Sequence, residues 1–391
     1  MTATAPERTA PDTRRRGAVA VARWCGLLTL SLAGWWLFDR IGLAAPELFA
    51  ALLAAIALAL TGVGPARPSR PVGMAAQGTL AVSIGMSVRP DMVSQLGAQW
   101  LPIVTVAAAT LLLSVGAGAL LACHRLVDPV TGVLSMLAGG ATGLVAVADE
   151  LGGDEKVVVI SQYLRVALVV LTMPLAVTYL FAADVTARVA PTDPDAAPWW
   201  IGALFAAAAI TAGTGAASLL RIPIPATLGP LALTAAVELA GWVPHVAMPA
   251  AMLPAAFLII GWQAGLSFTR AGLLALGRIA LWAVSLIALL CAVCAGLGVV
   301  LSAWTGASLM EGYLATTPGG LAAVLAVASS TDSDVTLVAT SQVLRLLMML
   351  ASAPVVVWLA ARWASSRRYL DRRHRRQRAS AARPKIGRIR S

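Results

Sequence analysis

Apolar runs separated by short polar breaks fill nearly the whole chain. They fall at about 19–38, 45–63, 71–88, 100–122, 128–148 and 157–181, and again at about 199–219, 226–242, 247–268, 273–303, 308–328 and 335–361. A helix that crosses a bilayer needs about 20 residues, and most of these runs are long enough. They are Ala- and Leu-rich and do not alternate with period two, so they do not read as strands of an outer-membrane barrel. The pattern predicts an all-α polytopic membrane protein of about 10–12 membrane elements. The longest break, AADVTARVAPTDPDAAP at 182–198, divides the runs into two sets. Five regions follow. Residues 1–16 form a basic N-terminal segment expected to be disordered, and 17–181 a first membrane repeat. Residues 182–198 form a Pro/Asp linker, 199–361 a second repeat, and 362–391 a basic tail.

The two sets carry the same polar residues in the same order, 180 residues apart. Gly139, Gly140, Asp154, Ser161, Gln162, Leu164, Arg165 and Pro174 match Gly319, Gly320, Asp334, Ser341, Gln342, Leu344, Arg345 and Pro354 without a gap. Gly85-Met86-Ser87 and Gly265-Leu266-Ser267 keep the same spacing. Apolar composition makes Ala and Leu coincide by chance, but not Asp, Gln and Arg in order. Duplicated halves that place polar groups at matching positions are a common way for transporters to build one site between two repeats.

Two runs in each half are weak as plain spans. Segment 71–88 holds Gln77, Gly78, Ser83, Gly85 and Ser87, and 128–148 holds Gly139-Gly140 and Gly143. The partner of the latter holds Thr316-Thr317-Pro318-Gly319-Gly320. Pro lacks an amide hydrogen and Gly weakens a helix, so the chain can unwind there. Unwound backbone at membrane depth is tolerated only within protein or beside water. Each half is therefore expected to contain a Gly-rich broken or re-entrant helix that lines a cavity.

Asp154, Ser161 and Arg165 fall on one stripe of a helix, with Gln162 beside it, and Asp334, Ser341, Gln342 and Arg345 repeat the arrangement. Asp154 and Arg165 stand roughly 16 Å apart along the axis, which puts the acid near a helix start and the Arg deep. An Arg at the centre of a span costs about 2.5–3.5 kcal/mol and must face protein, water or a ligand. Two readings follow for Arg165 and Arg345: bonding to carbonyls freed by the broken element, or contact with an anion through the planar guanidinium fork. The candidate substrate site comprises Arg165, Arg345, Gln162, Gln342, Ser161, Ser341, Gly139, Gly140, Gly319 and Gly320. Asp149, Glu150, Asp154 and Asp334 are candidate coupling acids. Ser329 and Ser330 stand where the first half has Asp149 and Glu150.

Net charge is +11, and residues 362–391 supply all of it, with 12 Arg or Lys and the single acid Asp371. Basic residues near spans stay cytoplasmic, which puts both termini inside and requires an even number of crossings. Five crossings per half make the repeats inverted and put 182–198 outside; six make them parallel. The lack of basic excess in the linker favours inversion. The Arg-containing N-terminus is expected to lead into an uncleaved first span. The basic tail is expected to bind anionic lipid headgroups rather than a specific nucleic acid.

Enzyme chemistry finds little support. Three scattered His do not make an oxygenase centre, and no GxxxxGK[ST] motif is present. Cys291-Ala-Val-Cys294 lies in an apolar run without other ligands, so no metal or cofactor is expected.

With GG…D…SQ-LR…P present twice, the chain resembles the AbrB-type duplicated membrane protein family of bacteria over roughly residues 20–361. Pro318-Gly319-Gly320-Leu321, Asp334 and Gln342-Val-Leu-Arg345 match its signature closely, whereas the first half has Ala138 and Ala141 in place of the Pro and Leu. The family carries the labels of transcriptional regulation and ammonia monooxygenase, and neither follows from these residues. The expected function is a multi-pass carrier or exporter in the bacterial inner membrane, moving a small anionic organic solute. The alternative is a membrane sensor that regulates gene expression by binding a solute in the same cavity. Self-association stays open.

Overall fold

The structure is a computed structural model that describes residues 13–90, 99–124, 127–137, 154–181, 197–222, 224–242, 248–270, 279–331 and 333–381, with residues 97, 246 and 277. Among these, every regular element is a helix. The first half contains α1 (Thr13–Arg40), α2 (Pro46–Thr61), α3 (Arg70–Gly85), α4 (Trp100–Leu121), α5 (Pro129–Met136) and α6 (Glu155–Leu175). The second contains α7 (Trp199–Leu219), α8 (Pro225–Leu239), α9 (Met252–Gly265), α10 (Ile279–Thr305), α11 (Leu309–Thr316), α12 (Leu321–Ser329) and α13 (Val335–Ala381).

Among the described residues, six segments are long and apolar enough to cross a bilayer: Gly17–Arg40, Trp100–Leu121, Val157–Leu180, Trp199–Leu219, Ile279–Thr305 and Val335–Ser352. Their outer faces carry bare apolar side chains such as Leu112, Leu204 and Leu281, which water would not tolerate as one continuous surface. Exposed Trp36, Trp100, Trp199, Trp200 and Trp304 sit near helix ends, where amphipathic rings favour the headgroup level. The chain is thus a multi-pass helical membrane protein.

Two packed groups divide the helices, and each draws on both halves. In one group α2 packs on α1 and on α9, while α8 packs on α7 and on α3. The exchange depends on missing side chains. A Cβ on Gly265 would stand 2.6 Å from the Leu52 carbonyl, and one on Gly85 would stand 3.0 Å from the Leu231 carbonyl. Segment 71–88, expected to be weak as a span, forms the unbroken 16-residue α3, which is not among the segments long and apolar enough to cross a bilayer. Its Gly85 admits the neighbouring backbone rather than breaking its own. In the second group α4 packs on α5, α10 and α13, and α10 on α11 and α6.

The two short helices α5 and α11 run beside longer ones. A Ser308 cap and Glu311 start α11 as a reciprocal capping box. Glu311 Oε1 also accepts the Asp334 amide at 2.7 Å, so α11 and α13 begin side by side. Contacts from Gln342 to Leu314 and from Arg345 to Thr316 follow further along both, so the two helices run parallel. After the turn at 317–320, the nine-residue α12 must return to the start of α13. Helices α11 and α12 therefore form a hairpin, as expected of a broken element. In the first half, Asp128 caps α5 and Thr131 Oγ1 accepts the Asp154 amide at 2.8 Å.

The ends depart from expectation. Residues 13–16, placed in the disordered segment, already belong to α1, and α13 runs on as a helix through the basic stretch to Ala381.

Candidate functional site

Helix α11 ends inside the protein. The last carbonyls of any helix lack intrahelical donors, and hydrocarbon offers no water to replace them. One pair of side chains from α13 supplies the donors. Gln342 Nε2 donates to Leu314 O at 2.7 Å and to Thr317 O at 3.2 Å. Arg345 Nη1 donates to Thr316 O at 3.2 Å and to Thr317 O at 2.6 Å. Its Nη2 donates to Gln342 Oε1 at 2.6 Å, which fixes the amide orientation. Thr317 Oγ1 donates to the Tyr313 carbonyl at 2.6 Å, and Thr316 Oγ1 to that of Gly312 at 2.9 Å.

The first half builds the same network at the same 180-residue spacing. Gln162 Nε2 donates to Leu134 O at 2.7 Å and to Leu137 O at 2.8 Å. Arg165 Nη1 donates to Met136 O at 2.9 Å, and Nη2 to Gln162 Oε1 at 2.6 Å. All four side chains are at most 5 % exposed. The carbonyl-bonded reading of Arg165 and Arg345 therefore accounts for their two terminal nitrogens. It leaves the third nitrogen of each. Among the described residues, Arg165 Nε, Arg345 Nε, Ser161 Oγ, Ser341 Oγ and Ser135 Oγ are buried without a partner. Every guanidinium bond goes to a neutral oxygen, although each group carries a full charge. The two charges lie within interaction range of each other, with Cys291 and Cys294 of α10 within range of both.

The hairpin tip joins the halves. Gly320 caps α12 with φ +35°, a conformation that favours glycine, and lies against Val166 and Val170 of α6. A Cβ on Gly319 would meet Val169 at 2.8 Å. The second-half glycines thus pack one turn from Arg165 of the first half. Gly139, Gly140, Asp149 and Glu150 lie outside the described residues.

Asp154 and Asp334 do not meet the arginines. Asp154 Oδ1 accepts the Val157 amide at 3.3 Å, and Asp334 Oδ1 accepts the Thr336 and Leu337 amides at 2.9 and 3.1 Å. Both cap their helices, where a carboxylate also suits the dipole. The sequence reading missed Thr131 and Glu311, the residues that tie each cap to the short helix. Their common 180-residue spacing was a usable signal, but Thr and Glu do not look alike. No group of three His, Cys, Asp or Glu side chains among the described residues could hold a metal ion.

Fold and site together define a polytopic helical membrane protein with a duplicated Gln–Arg network holding two short helices in its interior. Residues 53–361 match the family model described as transition state regulatory protein AbrB, and the chain belongs to that family. It is 32% identical over 352 residues to "Putative regulator AbrB" of Escherichia coli (strain K12), covering 89% of this chain and 99% of that protein. It is 28% identical over 291 residues to "Uncharacterized protein YhjN" of Bacillus subtilis (strain 168), covering 70% of this chain and 75% of that one.

Proposed function

We propose that the protein is a secondary carrier for a small anionic organic solute, in a bacterial inner membrane with both termini cytoplasmic. One observation carries the reading: two buried guanidinium groups spend their bonds on neutral oxygens and keep an unpartnered Nε beside an unpartnered Ser hydroxyl. Among the described residues no carboxylate bonds to either group; a buried charge is costly, and an anion arriving there would find donors already oriented. The matched networks suit a site between two halves, each presenting a short helix that ends near mid-membrane. The halves are read as inverted repeats of five crossings and one re-entrant hairpin. Reciprocal packing of α2 on α9 and of α3 on α8 supports a two-fold relation.

Metabolite profiling of a deletion strain, followed by uptake into proteoliposomes, tests the carrier. Solute binding without flux would instead favour a membrane sensor, the reading suggested by the name of the Escherichia coli relative. For the topology, a cysteine at position 193 in a background lacking Cys25, Cys123, Cys291 and Cys294 should react with an impermeant maleimide from outside. Labelling only from the cytoplasm would sink the inverted arrangement.

A further inference from the structure

The two networks repeat the same Gln–Arg pairing and the same Gln bonds to the backbone, yet their surroundings differ. Beside Arg345 and Ser341 lies a small cleft of about 10 Å³, room for roughly one water-sized sphere. Thr316 of α11 and Val106, Ala107 and Thr110 of α4 wall it, so the cleft lies between the halves. Ser341 and Arg345 are 6 % and 5 % exposed, and both present an unpartnered atom, Oγ and Nε. The hydroxyls of Thr110 and Thr316 already donate to the carbonyls of Ala107 and Gly312, at 2.8 and 2.9 Å. Two free donors, one of them charged, thus border a space with no carboxylate in its lining.

Four of the wall positions 180 residues away hold larger apolar groups, whereas Ala283 replaces Ile103. Leu286 replaces Val106, Ile287 replaces Ala107, Leu290 replaces Thr110, and Met136 replaces Thr316. All four belong to one buried apolar cluster, none more than 5 % exposed. Arg165 Nε and Ser161 Oγ are unpartnered there too. Ser135 Oγ, at the position of Ala315, is unpartnered as well among the described residues, so the Arg165 side lacks no donor; its apolar wall sets it apart.

We infer that only the Arg345 site binds an anion: a single small monovalent group, either a carboxylate or a halide, held by Arg345 Nε and Ser341 Oγ. The Arg165 network is its structural copy, sealed by Leu286, Ile287, Leu290 and Met136. The inference rests on the anion reading of the proposed carrier and narrows it to one side.

The test uses the full chain in detergent with sodium isethionate, a sulfonate without a carboxylate and too bulky for the cleft, replaced stepwise by sodium formate or sodium chloride at constant ionic strength. Melting is followed by tryptophan fluorescence. Wild type should gain stability with formate, with chloride or with both. Formate alone assigns the site to the carboxylate of a solute, and chloride alone to an inorganic ion. Ser341→Ala should weaken the apparent affinity about tenfold, since it removes one bond to a charged partner. Ser161→Ala should stay within about twofold of wild type by the same reasoning. Thr110→Leu, which installs the side chain of the sealed copy, should abolish the response. Should Thr110→Leu fail to fold, the two serine variants still decide. No response in wild type, equal losses in both serine variants, or an undiminished response in Thr110→Leu would overturn the inference. Solute flux measured separately in proteoliposomes keeps the outcomes apart. Flux without an anion response overturns this site alone, whereas an anion response without flux supports the site and removes the carrier.

Discussion

Replacing Gln342 with Leu tests whether the Gln–Arg network holds the hairpin. Leu is close to Gln in volume, so the change leaves little cavity and isolates the polar loss. Three bonds go: to Leu314 O at 2.7 Å, to Thr317 O at 3.2 Å, and from Arg345 Nη2 at 2.6 Å. Buried hydrogen bonds in membrane proteins average about 0.6 kcal/mol and reach about 1.7. Three of them amount to about 2–5 kcal/mol, and the charge-assisted bond to Arg345 moves the expectation to about 3. Gln342→Glu gives a sharper contrast. A carboxylate keeps an acceptor for Arg345 but cannot donate to either carbonyl, so it should also destabilise despite adding an ion pair. Unfolding in mixed micelles, with retained helicity at the start checked by circular dichroism, measures both. Gln162→Leu should lose a similar amount, because it makes the corresponding three bonds, at 2.7, 2.8 and 2.6 Å. A loss below about 0.5 kcal/mol for Gln342→Leu, less than one average bond, would refute the idea that these contacts hold the hairpin.

Glu311→Ala should cost about 1 kcal/mol or more, because it removes a capping-box partner and the acceptor of the Asp334 amide. Glu311→Gln, which retains an acceptor oxygen, should cost less in the same unfolding measurement. Gly298→Val should cost about 1–3 kcal/mol or block assembly, because a Cβ there would stand 2.7 Å from the Gly312 carbonyl. Gly296→Val, with nothing within 4 Å of its Cβ position, is the control that separates crowding from helix propensity.

Periodicity made some of this legible. The run 199–219 coincides with α7 because long apolar stretches admit few alternatives. The break at 317–320 and the depth of Arg345 were readable because Pro, Gly and a charged residue are costly in a lipid-facing helix. Segment 71–88 was legible as a weak span, but the use of its glycines was not. A glycine that unwinds its own helix and one that admits a neighbouring backbone look the same in sequence, and Gly85 is the second kind. The partner of each Arg was not legible either. The carbonyls of Met136 and Thr316 belong to residues whose side chains announce nothing, so no side-chain pattern could reveal them.

Bonding to the backbone and contact with a ligand looked like rival roles for these arginines. The geometry assigns them to different atoms of one group. Nη1 and Nη2 of Arg345 are committed to Thr316 O, Thr317 O and Gln342 Oε1, and this commitment fixes where Nε points. A lysine could occupy only one of those positions, because its ammonium is a single point on a flexible stem. The planar fork thus lets structure orient a donor that structure does not use. The same Gln–Arg–Ser arrangement exists at Arg165, so a difference in what the two halves do must come from the residues around it, on α4 and α10 and on α5 and α11. Thr110 lines the cleft at Arg345, whereas its counterpart Leu290 lies in an apolar cluster with Met136, whose carbonyl Arg165 binds. A duplicated protein needs no new polar residue to become asymmetric; filling one of two identical sites with apolar side chains is enough.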